Sequence, residues 1–265
     1  MTFRFRTTVI ASLLIASILS PFSVLHAEGG WGSRALSLFK SASSSDAAAE
    51  AFGSADELAK ALREALAVSA ERALTELGQK GGFADSDLFR VPLPKSVESF
   101  RKPLALVGQD YRLDDFQATM NRAAEEGVAA SPAIVKKAIQ GLTMDDLNKL
   151  WKGKDDAITR FLEKNSREEL SEKMLPLIAA ATDSTGATRS YKKMEDALPE
   201  AGGGLFSKLQ SLTGRGDKDA FDLDQYVNEQ ALDSLFSAMA LEEKAIREDP
   251  LARSTDLLKQ LFGSE

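Results

Sequence analysis

The stretch 119-TMNRAAEEG-127 places Asn121 and Glu125 one helical turn apart, on a shared face of an Ala-rich segment. Arg122 and Glu126 share the adjacent face. An Arg in such a cluster would hold a carboxylate or phosphate with both prongs of its guanidinium. If Met120 and Ala124 face a core, Asn121 and Glu125 lie at its border, where an unpaired charge costs several kcal/mol. The favoured reading is therefore a network that ties two helices together, as most ion-pair networks do. In 153-GKDDAITRF-161, Asp155 or Asp156 stands where a helix should start, suited to capping free amides, with Thr159 and Arg160 one turn on. A calcium site would need at least about six oxygens, so capping and a surface pair are expected. In 242-EEKAIREDPLAR-253, Glu243 and Arg247 have the favourable spacing of a helical ion pair. Arg247 and Arg253 would flank an anion, although a solvated, paired helix end is favoured. A carboxylate pair such as Glu125 with Asp155 would suit general acid–base work if placed in one cleft with divergent pKa values. The acid-rich run 217-DKDAFDLD-224 lacks the Gly and the terminal Glu of a calcium loop, with Asp222 and Asn228 in their places. Arg215-Gly216-Asp217 is a chance-frequency tripeptide in a loop that needs Gly. Gly81-Gly82-Phe83 lacks the spaced glycines and Lys-Ser/Thr of a phosphate loop. No residue is assigned as catalytic or metal-ligating, and no cofactor is expected.

The N-terminus narrows the available chemistry. Arg4 and Arg6, an apolar run from Val9 to Leu19, Pro21, and SVLHA with Leu25 and Ala27 at the −3 and −1 positions have the layout of a secretory signal peptide. Pro21 and His26 cut the run short of the roughly 20 residues that a membrane span needs. Cleavage after Ala27 is expected. It removes the one His of a chain without Cys. It also removes two of 33 basic residues, leaving 31 against 40 acidic ones, a net charge of −9. Ser-His-Asp and Cys-His catalysis, disulfides and His/Cys zinc sites are then excluded. Carboxylates, Lys, Tyr, Ser/Thr and oxygen-ligated ions remain. The negative charge argues against nucleic acid, whose binding needs phosphate neutralisation. No later segment is apolar enough to span a membrane, so a soluble periplasmic protein is expected. About 238 residues suffice for one large domain or two small ones.

The positioning elements read as helices. Residues 28–53 are Gly-, Ser- and Ala-rich and read as a flexible leader, in which Trp31, Leu36 and Phe39 would dock at most as a short turn. Ser54 and Glu57 have capping-box spacing. Leu58, Leu62, Leu66, Ala70, Leu74 and Leu77 then give one apolar face, ended by a C-cap at Gly78. The segment 81–94, with Pro92 and Pro94, reads as extended: one hairpin at most, or a wrapped loop. Leu113, Phe116, Met120, Ala124 and Val128 mark the next helix. Ser131-Pro132 opens another, closed by Gly141. Thr143 caps one that Gly153 closes, and Asp155 caps a third. Ser166 and Glu169 form a further capping box, and Pro176 is expected to kink or split that helix. Breaks follow at 199–204 and 213–219. A long helix runs from Asp222 toward Arg247, stopped by Pro250, and a short one holds Leu257, Leu258, Leu261 and Phe262. The expected architecture is all-α: a bundle-like helical domain over residues 54–265.

Six stretches carry a resemblance: 81-GGF-83, 92-PLP-94, 120-MNRAAE-125, 153-GKDDAITRF-161, 222-DLDQYVNEQALDSLF-236 and 242-EEKAIREDPLAR-253. Together they resemble the bacterial family known as domain of unknown function 4197, from about Leu58 to Phe262. Ser234 stands where that family's pattern has Gly. The resemblance implies an exported helical protein and brings no catalytic residues with it. The expected role is binding or structural, with an unknown protein or small molecule as partner. A carboxylate-based hydrolase and a carrier of apolar molecules are the alternatives. An enzyme would show a deep polar cleft, a carrier an apolar cavity of several hundred Å3 between helices, and a scaffold an exposed apolar patch.

Overall fold

A computed structural model describes residues 54–143, 150, 153–202 and 221–263. All of them fall within one compact unit, Ala42–Glu265. The fold is all-α, and no strand occurs among the described residues. Helix α1 (Ala55–Gly78) begins as its sequence dictates, with the Ser54 hydroxyl accepting from the Glu57 amide at 3.2 Å. Its Leu58, Leu62, Leu66 and Leu77 are fully enclosed. Two short helices follow the 81–94 segment, α2 (Lys95–Glu98) and α3 (Arg101–Leu106). Then come α4 (Tyr111–Ala129), α5 (Pro132–Gln140), α6 (Ala157–Thr185), α7 (Ala187–Gly202) and α8 (Leu223–Glu248). A 3-10 turn (Pro250–Ala252) and α9 (Asp256–Phe262) complete the described chain.

Helices α1, α4, α6 and α8 form the centre. α8 packs on α6, α1 and α4, and α4 packs on α6, α1 and α7. Phe116, Met120, Ile178, Phe236 and Met239 are buried where they meet. Gly127 lets α4 pack closely on α6, because a Cβ there would run into the Ile178 side chain. The rings of Phe116, Tyr191, Phe221 and Tyr226 form a chain with centroids 5.3–5.6 Å apart, joining α4, α7 and the start of α8. Arg167 on α6 bonds to Glu229 and Asp233 on α8 at 2.8 and 2.6 Å.

Several boundaries differ from expectation. Ser166 and Pro176 start or split nothing: α6 runs unbroken through both, and Ser166 is buried in mid-helix. The break falls at Gly186, whose φ of 78° supplies a left-handed C-cap. α7 continues through Pro199 to Gly202, inside the stretch read as a break. Gly78 has no left-handed conformation; a Cβ on it would lie 3.0 Å from the Ala129 Cα, so close packing on α4 is its constraint. The 81–94 segment is a wrapped loop and not a hairpin. The stretches read as signal peptide and leader, most of the helix expected between Thr143 and Gly153, the 213–219 stretch read as a break and the Arg215-Gly216-Asp217 tripeptide lie outside the described residues.

Candidate functional site

The loop 81–94 has no ladder to satisfy its amides, so side chains of α4 do so. Gly81 turns the chain with φ 87°, and a Cβ on Gly82 would approach the Leu77 carbonyl oxygen to 2.5 Å. The tight turn aims three amides at one point. Gly81, Phe83 and Ala84 N–H donate to Glu125 Oε1 at 3.1, 3.2 and 3.0 Å. This resembles an anion-binding nest of backbone amides, with the protein's own carboxylate as the anion. One turn earlier, Asn121 Oδ1 accepts from Val91 N–H at 2.8 Å while its Nδ2 donates to the Val91 carbonyl at 3.0 Å. Gln117 donates to the same carbonyl at 3.1 Å, and the Tyr226 hydroxyl donates to Pro92 O at 2.9 Å. Burial pushes the Tyr226 pKa up from its ordinary value. Ser234 brings its hydroxyl 3.5 Å from Phe89 O. Arg122 sits on the exposed side of α4, where its Nη2 donates to Thr185 O at 3.4 Å.

A second carboxylate is more deeply enclosed. Glu243 on α8 is 1% exposed and accepts from Ile158 N–H at 3.2 Å and Thr159 N–H at 2.7 Å. It therefore caps α6 from another helix. Asp156 occupies the N-cap position without a capping bond and pairs with Arg160 at 3.0 Å. Asp155 lies 3.8 Å from Lys244. The expected cap by Asp155 or Asp156 is thus replaced by a tertiary one. The Glu243–Arg247 pair is buried and not solvated. Arg247 Nε and Nη2 donate to Glu243 Oε1 at 3.0 and 2.8 Å, and its guanidinium lies 5.0 Å from the Phe262 ring centre. Arg253 donates to the carbonyls of Ile246 and Arg247 at 3.0 and 2.8 Å, closing the C-terminus of α8. Thr159 is fully buried, and its hydroxyl has no partner among the described residues.

The candidate residues therefore gather around two buried carboxylates rather than in one cleft. Glu125 and Asp155 are not brought together: the depression of about 580 Å3 that Asp155 borders does not include Glu125. Its walls carry the exposed Leu88 and Leu241 among Lys154, Arg160 and Lys244. The larger concavity lies elsewhere. A groove of about 820 Å3 runs between α1 and α5, with Ala67, Ala70, Leu74, Val135 and Ile139 along its floor. Lys60, Arg63, Glu64, Glu71 and Lys136 edge it. Exposed Ala67, Thr75, Pro132 and Lys136 leave it open along its length. Among the described residues no three acidic or imidazole side chains converge as a metal site. Sequence reasoning missed the groove and the capping role of Glu243. The second was detectable: Met239, Glu243 and Ile246 recur at helical spacing, so Glu243 lies on the apolar stripe.

A family model, Protein of unknown function (DUF4197), matches residues 53–263. The chain belongs to the DUF4197 family. No curated protein and no solved structure matched it. The match takes in both carboxylate networks and both walls of the groove, so all lie inside the DUF4197 domain.

Proposed function

We propose that this DUF4197 chain is an exported, periplasmic binding protein that accepts the apolar face of a partner helix in the groove between α1 and α5. The observation that carries the reading is the groove itself. The groove follows α1 from Lys60 to Gln79, roughly 29 Å at helical rise, with Ala67, Ala70 and Leu74 as its apolar floor on that helix. An open trough of that length suits a helix laid lengthwise. A pocket for a small molecule would enclose most of its ligand. Binding rather than hydrolysis is supported by the engagement of Glu125 and Glu243 with backbone amides. Export is supported by the pattern from Arg4 to Ala27. Among the described residues, no helix is long and apolar enough to cross a membrane.

The chain has no Cys, so Thr75→Cys offers a single labelling point on the groove. An environment-sensitive dye there should shift to the blue, with saturation, when a synthetic amphipathic helical peptide is added. The same dye at Asp256→Cys should not respond. No response at Thr75, or equal responses at both positions, would overturn the binding reading. For export, the periplasmic fraction should contain a chain whose N-terminal residue is Glu28. Finding it in the cytoplasm with Met1 intact would refute that part.

A further inference from the structure

The charges that edge the groove specify the partner further, on the reading that the groove accepts a helix. Glu64 and Glu71 stand seven residues apart on α1, two helical turns and roughly 10.5 Å along the axis. They lie on the same side of the Ala67–Leu74 floor, and Lys60 and Arg63 stand beyond the N-terminal end of that floor. Glu71 is exposed and Glu64 half-exposed, and neither makes an ion pair among the described residues. Lys136 on α5 borders the opposite wall, also without an ion pair among the described residues. Ala67 and Ala70 on the floor let another backbone approach to an interaxial distance of about 8–10 Å. At that distance, acids at seven-residue spacing occupy the flanking positions at which paired helices choose partners by charge.

We propose that the groove between α1 and α5 selects an amphipathic partner helix with Lys or Arg at two flank positions seven residues apart, aligned on Glu64 and Glu71. The other flank, against Lys136, carries an acid. Such rim charges contribute modestly to affinity and strongly to the choice of partner.

Two synthetic helices of the same Leu/Ala stripe test this by fluorescence anisotropy on the full chain. One carries two Lys, seven apart, on one flank and Glu on the other; the second carries Glu on both flanks. The basic-flank peptide should bind about fivefold tighter, the size expected of two exposed ion pairs. Raised salt should shrink that ratio. The Glu64→Lys/Glu71→Lys chain should reverse the preference, and Lys136→Glu should weaken the basic-flank peptide. Thermal melts of both variants establish that they remain folded. Equal affinities on the native chain, or an unchanged preference in the double variant, would overturn the charge selection while leaving the groove as a binding site. Failure of both peptides to bind would remove the two together.

Discussion

Glu125 is a carboxylate almost without water, and its stability rests on three loop amides. Glu125→Ala should leave those donors unpaired and cost about 3 kcal/mol. Urea denaturation would measure that loss, and hydrogen exchange should show residues 81–84 opening first. Asn121→Ala leaves the Val91 amide unpaired, although Gln117 still donates to the Val91 carbonyl, and should cost about 2 kcal/mol. Arg122→Gln, on the exposed face next to it, should change stability by less than about 0.5 kcal/mol. Equal losses for Asn121→Ala and Arg122→Gln would refute this division of labour. The contrast could not be read from 121-NR-122 alone, because the two residues differ only in which side of α4 meets the loop. Tyr226 adds a pH dependence. Its folded pKa lies above its unfolded value because burial disfavours the phenolate. Its contribution is therefore complete below the ordinary value near 10 and is lost as pH rises through the folded pKa. An alkaline decline in stability that Tyr226→Phe reduces would agree; an identical decline in both chains would not.

Among the elements, α6 shows how a helix depends on a distant side chain. Its first turn is capped by Glu243, which α8 brings from 84 residues away. Glu243→Ala removes the buried carboxylate that Arg247 donates to and leaves the amides of Ile158 and Thr159 unmet. A loss of about 3–5 kcal/mol is expected. A double-mutant cycle with Arg247→Ala should give a coupling above about 1 kcal/mol. Additive losses would show that the pair acts independently. The contact between α4 and α6 gives a second test. Ala is a better helix former than Gly by about 1 kcal/mol, so propensity alone makes Gly127→Ala stabilising. The Ile178 side chain occupies the place of the new methyl, and a net loss of about 1–3 kcal/mol is expected from overpacking. A raised melting temperature would show that α6 yields instead. Sequence located α4, α5, α8 and α9 well because their signals are local: stripes at spacing three and four, Ser131-Pro132, Gly141, Asp222 and Pro250. Pro176 and Ser166 misled because tertiary packing holds α6 as one helix across residues that locally favour an end.

At the scale of the whole molecule, α1 and α5 leave an open groove with an apolar floor, and its occupation should raise the melting temperature in step with affinity. The basic-flank peptide should therefore stabilise the full chain in a concentration-dependent way. Ala67→Glu, which puts a charge on the floor, should abolish the shift without lowering the unliganded melting temperature by more than a degree or two, because Ala67 is exposed. An undiminished shift would place the peptide elsewhere.

The sequence by itself determined the helical class, the ends of helices that carry their own caps, the absence of Cys, and the candidates Asn121, Glu125, Glu243 and Arg247. Those properties depend on residues within about one turn of each other or on composition alone. Only the tertiary structure decided what the polar groups do. Glu125 meets amides 41 to 44 residues away, and Glu243 meets amides 84 and 85 residues away. The groove likewise exists only where α5 lies beside α1, a pairing that neither helix encodes alone. Burial and donor satisfaction arise from packing, so the same Glu is a surface charge or a buried clamp according to which chain segment arrives opposite it.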